Sequence, residues 1–156
     1  MTDMEAELRT ISAGEAEDSL VSLINAGDTV PLKVTGSSMV PVLRNGRDTV
    51  WLCRADRPKK GQILFFRRSD GTFILHRIRR IGSDGRMTVN GDAQKWCETV
   101  DPENAVAVAV RITRQNGKTV DTNGFGFRFL SLLWYPTRPV RPFLFKVGAA
   151  LRGKRK

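Results

Sequence analysis

Residues 62–90 read QILFFRRSDGTFILHRIRRIGSDGRMTVN, and this stretch decides the fold class. Three segments in it, 62–67, 72–79 and 87–90, have the apolar and β-branched composition of strands. The dipeptides between them, Asp70-Gly71 and Asp84-Gly85, are typical of tight hairpin turns. Because a hairpin joins two antiparallel strands, the stretch predicts an antiparallel sheet.

The strand pattern extends outward from this stretch. Val30, Leu32 and Val34 alternate with polar or turn residues, as in a strand with one buried face. Asn116-Gly117 supplies a third hairpin signal, and helical spacing is absent between residues 28 and 120. Further strands are predicted at 49–53 and 105–113. The fold class is therefore predicted to be mainly β, with a compact antiparallel β-barrel or curled sheet.

The ends of the chain follow other patterns. A helix is predicted within residues 5–26, where Leu20, Leu23 and Ile24 recur at helical spacing and Gly27 is a suitable stop. At the other end, three prolines between residues 136 and 142 forbid one continuous helix. The predicted organisation is an N-terminal helical segment (1–28), a β domain (29–120) and a basic, aromatic C-terminal extension (121–156).

Length and composition limit the class of protein. The chain has 156 residues, 40% hydrophobic and 27% charged, as expected of one globular domain. It has no apolar run of 18 residues that would predict a transmembrane helix, and its acidic N-terminus is not a secretory signal. Cys53 and Cys97 are far apart and there is a single His, so no metal site is predicted. We expect reduced thiols, no cofactor and a cytoplasmic location.

The net charge of +10 is concentrated at the C-terminal end. Residues 125–156 hold eight basic residues, no acidic ones and seven of the twelve aromatics, so residues 1–124 carry only +2. Such an extension either packs its aromatics on the sheet or contacts the inner face of a membrane, with Trp134 and Tyr135 at headgroup level. A nucleic-acid partner is not favoured, because a binding domain would spread its basic residues over its folded body.

Two segments contain residues suited to catalysis. In residues 34–46, VTGSSMVPVLRNG, a strand leads into Gly36, and Ser38 and Pro41 follow. This pattern places a hydroxyl at a strand end, although alone it predicts only a turn. The single His of the chain, His76, lies in a predicted strand on the same face as Ile74 and Ile78. A lone strand His is most often structural, so His76 gains interest only together with the Ser38 segment.

Together these segments resemble the signal peptidase I-like serine peptidases, whose relatives include the LexA-type self-cleaving repressors. The resemblance covers residues 34–113 and consists of boxes in family-like order and spacing. The boxes are Gly36-x-Ser38-Met39-x-Pro41-x-Leu43-x-x-Gly46, Lys60-Gly61 with the hydrophobic strand that follows, His76-Arg77-Ile78, Asn90-Gly91-Asp92 and the hydrophobic strand 105–112.

The resemblance implies roles for two residues. Ser38, which precedes Met-x-Pro, takes the place of the nucleophile. The general base precedes Arg in the third box, and it is Lys in the bacterial branch and the repressors but His in the endoplasmic-reticulum-type branch. This chain has His76 there, so it resembles a Ser–His member. A neutral imidazole accepts a proton near pH 7, whereas a Lys must first be desolvated.

An acid that orients His76 would complete the set, and two candidates exist. Asp92 belongs to the Gly-Asp box and is slightly preferred. Glu98 is the alternative, because the His branch commonly has an Asp after that box. The loop from Asp92 to Glu98 departs from the family's Gly-Asp-Asn-Asn pattern.

The resemblance also implies an oxyanion and substrate loop around the nucleophile. The backbone N–H of Ser38 is the expected first donor to the oxyanion. Some relatives supply a hydroxyl two residues earlier, where this chain has Gly36; Thr35 or Ser37 would replace it, or no side chain does. The loop comprises Gly36, Ser37, Met39 and Pro41.

The expected function is that of a serine endopeptidase that cleaves a peptide, leader or pro-segment on the cytosolic side. Signal-peptide removal in the usual place is not expected, because the sequence shows neither anchor nor export signal. A repressor also fits poorly, since 28 residues before the first strand cannot hold a helix-turn-helix domain. The alternative is an inactive module that keeps the fold and binds a peptide or a membrane.

Overall fold

The computed structural model describes residues 13–134, and these form one antiparallel sheet with a helix at each end. The expectations for residues 5–12 and 135–156 lie outside the described residues. In chain order the elements are α1 (Ala13–Asn25), β1 (Val30–Lys33), β2 (Thr49–Arg54), β3 (Ile63–Arg67), β4 (Phe73–Ile81), β5 (Met87–Asn90), β6 (Glu98–Val100), a 3₁₀ turn (Pro102–Asn104), β7 (Ala105–Thr113), β8 (Thr119–Asp121) and α2 (Phe125–Trp134).

Seven of the eight strands are ordered β1-β2-β7-β3-β4-β5-β6, β8 pairs with β7, and all pairs are antiparallel. Strand β7 is central, because β2 lies along one edge while β3 and then β8 share the other. The prediction of a mainly β fold with an N-terminal helix is confirmed. Of the two predicted shapes the closed barrel is not formed, because β1 and β6 are the unjoined ends of the described sheet.

Each predicted hairpin signal forms a turn. The glycines of Asp70-Gly71, Asp84-Gly85 and Asn116-Gly117 have φ values of 88°, 82° and 78°, a region that strongly favours glycine. These turns join β3 to β4, β4 to β5 and β7 to β8. The turn chemistry therefore determines which strands are neighbours.

The core has two parts, one on each face of the sheet, and β3 contributes to both. Ile63 and Phe65 belong to the first cluster, with Met39 and Leu43, whereas Leu64 and Phe66 belong to the second. Successive side chains of a strand point to opposite faces, so a strand with a continuous apolar run is buried on both.

Helix α1 covers the first cluster. Ile24 is completely buried and Leu20 packs against the same cluster, whereas Leu23 remains 47% exposed. The predicted helix is thus confirmed over Ala13–Asn25, and two of the three residues that predicted it, Leu20 and Ile24, pack against the first cluster. The chain leaves it through Gly27, whose φ of 99° is that of a helix stop.

Helix α2 presents apolar residues on two sides. Phe127 packs against the first cluster, and the Arg77 guanidinium lies 5.5 Å from its ring centroid. Phe125, Phe129 and Leu133 recur at every fourth residue and are 83%, 50% and 50% exposed. We refer to these three residues as the α2 stripe. None of the helices in residues 13–134 is long and apolar enough to cross a membrane.

Candidate functional site

The segment that follows β1 places Ser38 in a tight turn. Val34 continues the strand, since its N–H donates to Asp48 O at 3.0 Å and its carbonyl accepts from the Gly46 N–H at 2.8 Å. Met39 is 3% exposed and Leu43 is fully buried, and both anchor the turn in the first core cluster. Ser38 is half-buried just before this anchor. Its position is therefore set by the core.

Gly36 gives the backbone its direction at the start of this turn. Its φ of 82° is a conformation that strongly favours glycine, and its N–H donates to Oδ1 of Asn45 at 3.2 Å. At the other end, the Val40–Pro41 peptide bond is cis and Pro41 is exposed. The residues of the predicted oxyanion and substrate loop thus surround Ser38, while Thr35 and Ser37 are exposed beside it.

The backbone of Ser38 packs on the loop that follows β5. Its carbonyl oxygen accepts a hydrogen bond from the Ala93 N–H at 2.8 Å. A Cβ atom at Gly91 would lie 2.6 Å from that same oxygen, closer than such atoms can approach. Only a glycine at position 91 allows this contact. The Asn90-Gly91-Asp92 box therefore has a direct structural link to the Ser38 turn.

His76 is buried in β4, on the face that sequence periodicity predicts. It is 1% exposed, pairs with Leu64 across the sheet, and shares the second cluster's face with Ile74 and Ile78. Its ring centroid lies 6.0 Å from that of Phe66. Strand β5 ends opposite Arg77, so the backbone of His76 lies just past the end of β5. This opens a path from the ring toward β6.

Glu98, the first residue of β6, uses this path to reach His76. Its Oε1 lies 2.7 Å from Nδ1 of the ring, although Nδ1 makes no aligned hydrogen bond. Burial lowers the pKa of His76, nearby Glu98 raises it and the charge of Arg68 lowers it, with the net value below the ordinary one. The ring therefore remains neutral at pH 7.

Glu98 itself stays ionised. Partial burial raises the pKa of Glu98, but the hydrogen bond from Arg68 and the charges of His76 and Arg68 hold it below its ordinary value. A carboxylate beside Nδ1 favours the tautomer with its proton on that nitrogen, which leaves Nε2 as the acceptor.

Asp92, the acid preferred from the sequence, has other partners. It is completely buried, and Arg77 donates to both of its oxygens at 2.8 and 2.7 Å. Arg79 adds a third hydrogen bond of 3.0 Å. Arg77 also donates to Gly61 O at 2.8 Å. This ion cluster fixes the loop after β5, and the structure places Glu98, not Asp92, against the imidazole.

Ser38 and His76 are not joined by a hydrogen bond in the described part of the chain. Their connection runs through the backbone, because Ser38 hydrogen-bonds Ala93 and β5 ends opposite Arg77, the neighbour of His76. Catalytic hydrogen bonds are often long or unformed in a ligand-free enzyme and tighten when substrate binds.

A groove of about 920 Å³ lies beside Ser38, and we call it the Ser38 groove. Its walls come from α1, from β1 and the turn after it, from the start of β4 and from the loop after β5. Ser38 belongs to its lining, whereas His76 and Glu98 do not. Apolar lining residues include Leu32, Met39, Phe73, Leu75 and Trp96. Such a groove can hold a peptide segment with apolar side chains.

Arg68 is a site residue that sequence reasoning did not find. It follows β3 directly and donates two hydrogen bonds to Glu98, from Nε at 2.8 Å and from Nη2 at 2.7 Å. Nothing in the Arg67-Arg68-Ser69 sequence distinguishes it from other surface arginines. The two cysteines, in contrast, are unpaired thiols, with Cys53 half-buried and Cys97 exposed.

Comparison with known proteins adds no family assignment. No protein-family model matches the chain, and no curated protein matches it significantly.

Proposed function

We propose that the protein is a serine endopeptidase of the signal-peptidase type, with Ser38 as nucleophile, His76 as general base and Glu98 as the acid that orients the base. The observation that carries the proposal is the 2.7 Å contact between His76 Nδ1 and Glu98 Oε1, because a buried neutral imidazole backed by a carboxylate is the arrangement of an activated serine hydrolase. Asp92 is assigned a structural role.

The chemistry follows the acyl-enzyme route. His76 Nε2 takes the Ser38 hydroxyl proton while Oγ attacks the peptide carbonyl carbon. The C–N bond then breaks, and the imidazolium returns the proton to the leaving amine. Water, deprotonated by the same ring, then hydrolyses the ester and restores Ser38. The proposal places formation of the Ser38–His76 hydrogen bond in the peptide-bound state.

The backbone around Ser38 supports stabilisation of the oxyanion. In the described residues the N–H of Ser38 donates no hydrogen bond, so it is available to a developing negative charge. Gly36 has no hydroxyl to add. Thr35 and Ser37 are the neighbouring residues that supply a second donor in this scheme, and both are exposed at the turn.

The Ser38 groove supports binding of an extended peptide. Among residues 13–134, β1 pairs only with β2, and β5 pairs with β4 only from Arg77 onward. In this part of the chain one edge of β1 is therefore unpaired, and so is the edge of Phe73–Leu75 that faces away from β3. Residues of both segments line the groove. A peptide strand between them gains main-chain hydrogen bonds, and its side chains enter apolar subsites.

The proposal is tested with a library of synthetic peptides, in which mass spectrometry detects new termini after incubation with the protein. Wild type is expected to cleave a subset with a common sequence around the cut. Ser38→Ala should lose this activity by several orders of magnitude, whereas the neighbouring Ser37→Ala should retain it. If Ser37→Ala were inactive and Ser38→Ala active, the nucleophile would be Ser37, and its assignment to Ser38 would be wrong. No cleavage by wild type would reject the peptidase.

A second candidate function is a peptide- or membrane-binding module without catalysis. The α2 stripe favours a membrane surface, because three apolar side chains at helical spacing are exposed just before a strongly basic segment. The two candidates are compatible, and we propose a peptidase that works on the cytosolic side, peripheral to the inner face of a membrane.

A further inference from the structure

One oxygen of Glu98 is shared by two nitrogen atoms, one from Arg68 and one from His76. Oε1 lies 2.7 Å from Nη2 of Arg68 and 2.7 Å from Nδ1 of His76. The second oxygen, Oε2, accepts from Nε of Arg68 at 2.8 Å. Arg68 thus binds the carboxylate at two points, and this fixes both the position and the rotation of the group that faces the ring.

The backbone of Arg68 is fixed by the β3–β4 turn. Its N–H donates to Thr72 O at 2.8 Å, and its carbonyl accepts from the Gly71 N–H at 2.9 Å. The side chains of Arg68 and Glu98 are 35% and 24% exposed, so water screens the pair only in part. The guanidinium therefore contacts Glu98 from a backbone that the turn holds in place, and the pair is only partly exposed to solvent.

We propose that Arg68 is a positioning residue, which holds the Glu98 carboxylate against His76 and offsets its charge so that the imidazole stays neutral at neutral pH. The catalytic consequence rests on the proposed function, because a neutral ring matters only where His76 acts as a base. The effect of Arg68 on the protonation of the ring involves only Arg68, Glu98 and His76, and it does not require that the protein cleaves a peptide.

The physical reason is a balance of charges around a buried ring. A lone carboxylate against an imidazole favours the imidazolium, which cannot accept a proton from serine. The charged groups that act on the ring are Glu98 from β6, Arg68 from the β3–β4 turn and Asp92 from the loop after β5. Arg77 and Arg79 already neutralise Asp92. Arg68 performs the same task for Glu98, as its opposing effect on the pKa of His76 indicates.

The test measures the ring directly, since His76 is the only His of the chain and its ring protons give the only imidazole signals in a proton NMR titration. Arg68→Gln removes the charge and the two-point contact, and the pKa of His76 should rise. Arg68→Lys keeps the charge without the paired donors, and its rise should be smaller. Arg80→Gln is the matched control, because Arg80 is exposed on the same strand as His76 and should leave the titration unchanged.

The outcomes separate this inference from the proposed function. A higher pKa of His76 in Arg68→Gln than in Arg80→Gln supports the role of Arg68 whether or not a peptide is cleaved. An unchanged pKa overturns it, even in an active enzyme. A lower pKa overturns the charge balance, because it shows that the loss of Glu98 from the ring outweighs the loss of the Arg68 charge. If Arg68→Gln fails to fold, the direction of the change in the pKa of His76 in Arg68→Lys decides instead. With an active enzyme, the acid limb of the pH–rate profile should move to higher pH together with the titration.

Discussion

Glu98 Oε1 lies 2.7 Å from His76 Nδ1, although strand β5 separates their strands in the sheet. The contact is possible because β5 ends at Asn90, which leaves the backbone of His76 without a neighbour on that side. Glu98 pairs with Val89 near the same end, so its side chain passes the end of β5. Asp92 is held by Arg77 and Arg79 instead. The two acids thus have separable roles.

Glu98→Gln should lower kcat while leaving the fold intact. The substitution removes the negative charge that favours the active tautomer, and loss of such an acid costs on the order of 10² to 10⁴ in rate. KM should change little, because Glu98 does not line the Ser38 groove. Steady-state kinetics on a cleaved peptide and a thermal melt provide the measurement.

Asp92→Asn should destabilise the protein. It leaves two arginines without their shared carboxylate, and breaking a buried ion pair on one side costs about 3–5 kcal/mol. Urea denaturation of Asp92→Asn measures this loss of unfolding free energy, and Glu98→Gln is measured in the same way for comparison. A stable Asp92→Asn protein with the kinetic defect expected of Glu98→Gln would reverse the assignment of the two acids.

Activity should rise with pH through one ionisation that lies below the ordinary His value of about 6.5. Burial is the largest influence on the pKa of His76 and lowers it, so the ring stays in its basic form to a lower pH than a free imidazole. Activity is then lost as the pH falls through the pKa of the folded state.

A profile of kcat/KM from pH 4 to 9 tests this, and a flat profile would exclude His76 as the base. His76→Lys serves as the comparison, because any residual activity should shift to alkaline pH.

The same lowered pKa of His76 has a consequence for the stability of the fold. The contribution of His76 to the free energy of unfolding is present above the pKa of the unfolded state. It is lost as the pH falls through the pKa of the folded state, because the unfolded chain binds the proton first.

The sequence predicted long strands well because their pattern is local. The segments 49–53 and 105–113 match β2 and β7, and the alternation in β4 correctly put His76 on the face of Ile74 and Ile78. Strands β6 and β8 were missed, since each has three residues and forms only by pairing with β5 or β7.

The same limit explains the preference for Asp92 over Glu98. Position in a motif was the only guide from the sequence, whereas the partner of each acid depends on where β5 ends and β6 begins. The contact between Arg68 and Glu98 was missed for the same reason, because the β3–β4 turn and β6 meet only in the folded sheet. Long-range ion pairs of this kind have no spacing signal in the sequence.

Gly91→Ala should distort the Ser38 turn without removing any side chain of the proposed catalytic set. The added Cβ would come 2.6 Å from the Ser38 carbonyl oxygen and 2.8 Å from Oε1 of Gln94, so the two loops must separate. We expect a clear loss of kcat together with a lower melting temperature. Gly126→Ala is the control, since its Cβ would meet nothing within 4 Å and alanine favours the α2 helix by about 1 kcal/mol. Equal behaviour of the two variants would show that the Ser38–Gly91 contact is unimportant.

The α2 stripe and the basic segment after it should bind acidic membranes. Residues 125–156 carry eight positive charges and no negative ones, and each Lys or Arg near an anionic surface contributes about 1 kcal/mol. The exposed rings of Phe125 and Phe129 add apolar contact. Co-sedimentation should therefore require phosphatidylserine in the vesicles, weaken with salt, and largely disappear when residues 135–156 are removed.

Substitutions in α2 separate membrane contact from folding. Phe125→Ser with Phe129→Ser should weaken vesicle binding at an unchanged melting temperature, because both side chains are exposed. Leu23→Ser, an exposed position on α1, is the matched control and should bind as wild type does. Phe127→Ser should lower the melting temperature instead, since Phe127 packs on the first core cluster. If the full chain ignores acidic vesicles and removal of residues 135–156 lowers the melting temperature, the extension serves to complete the fold and the membrane proposal is wrong.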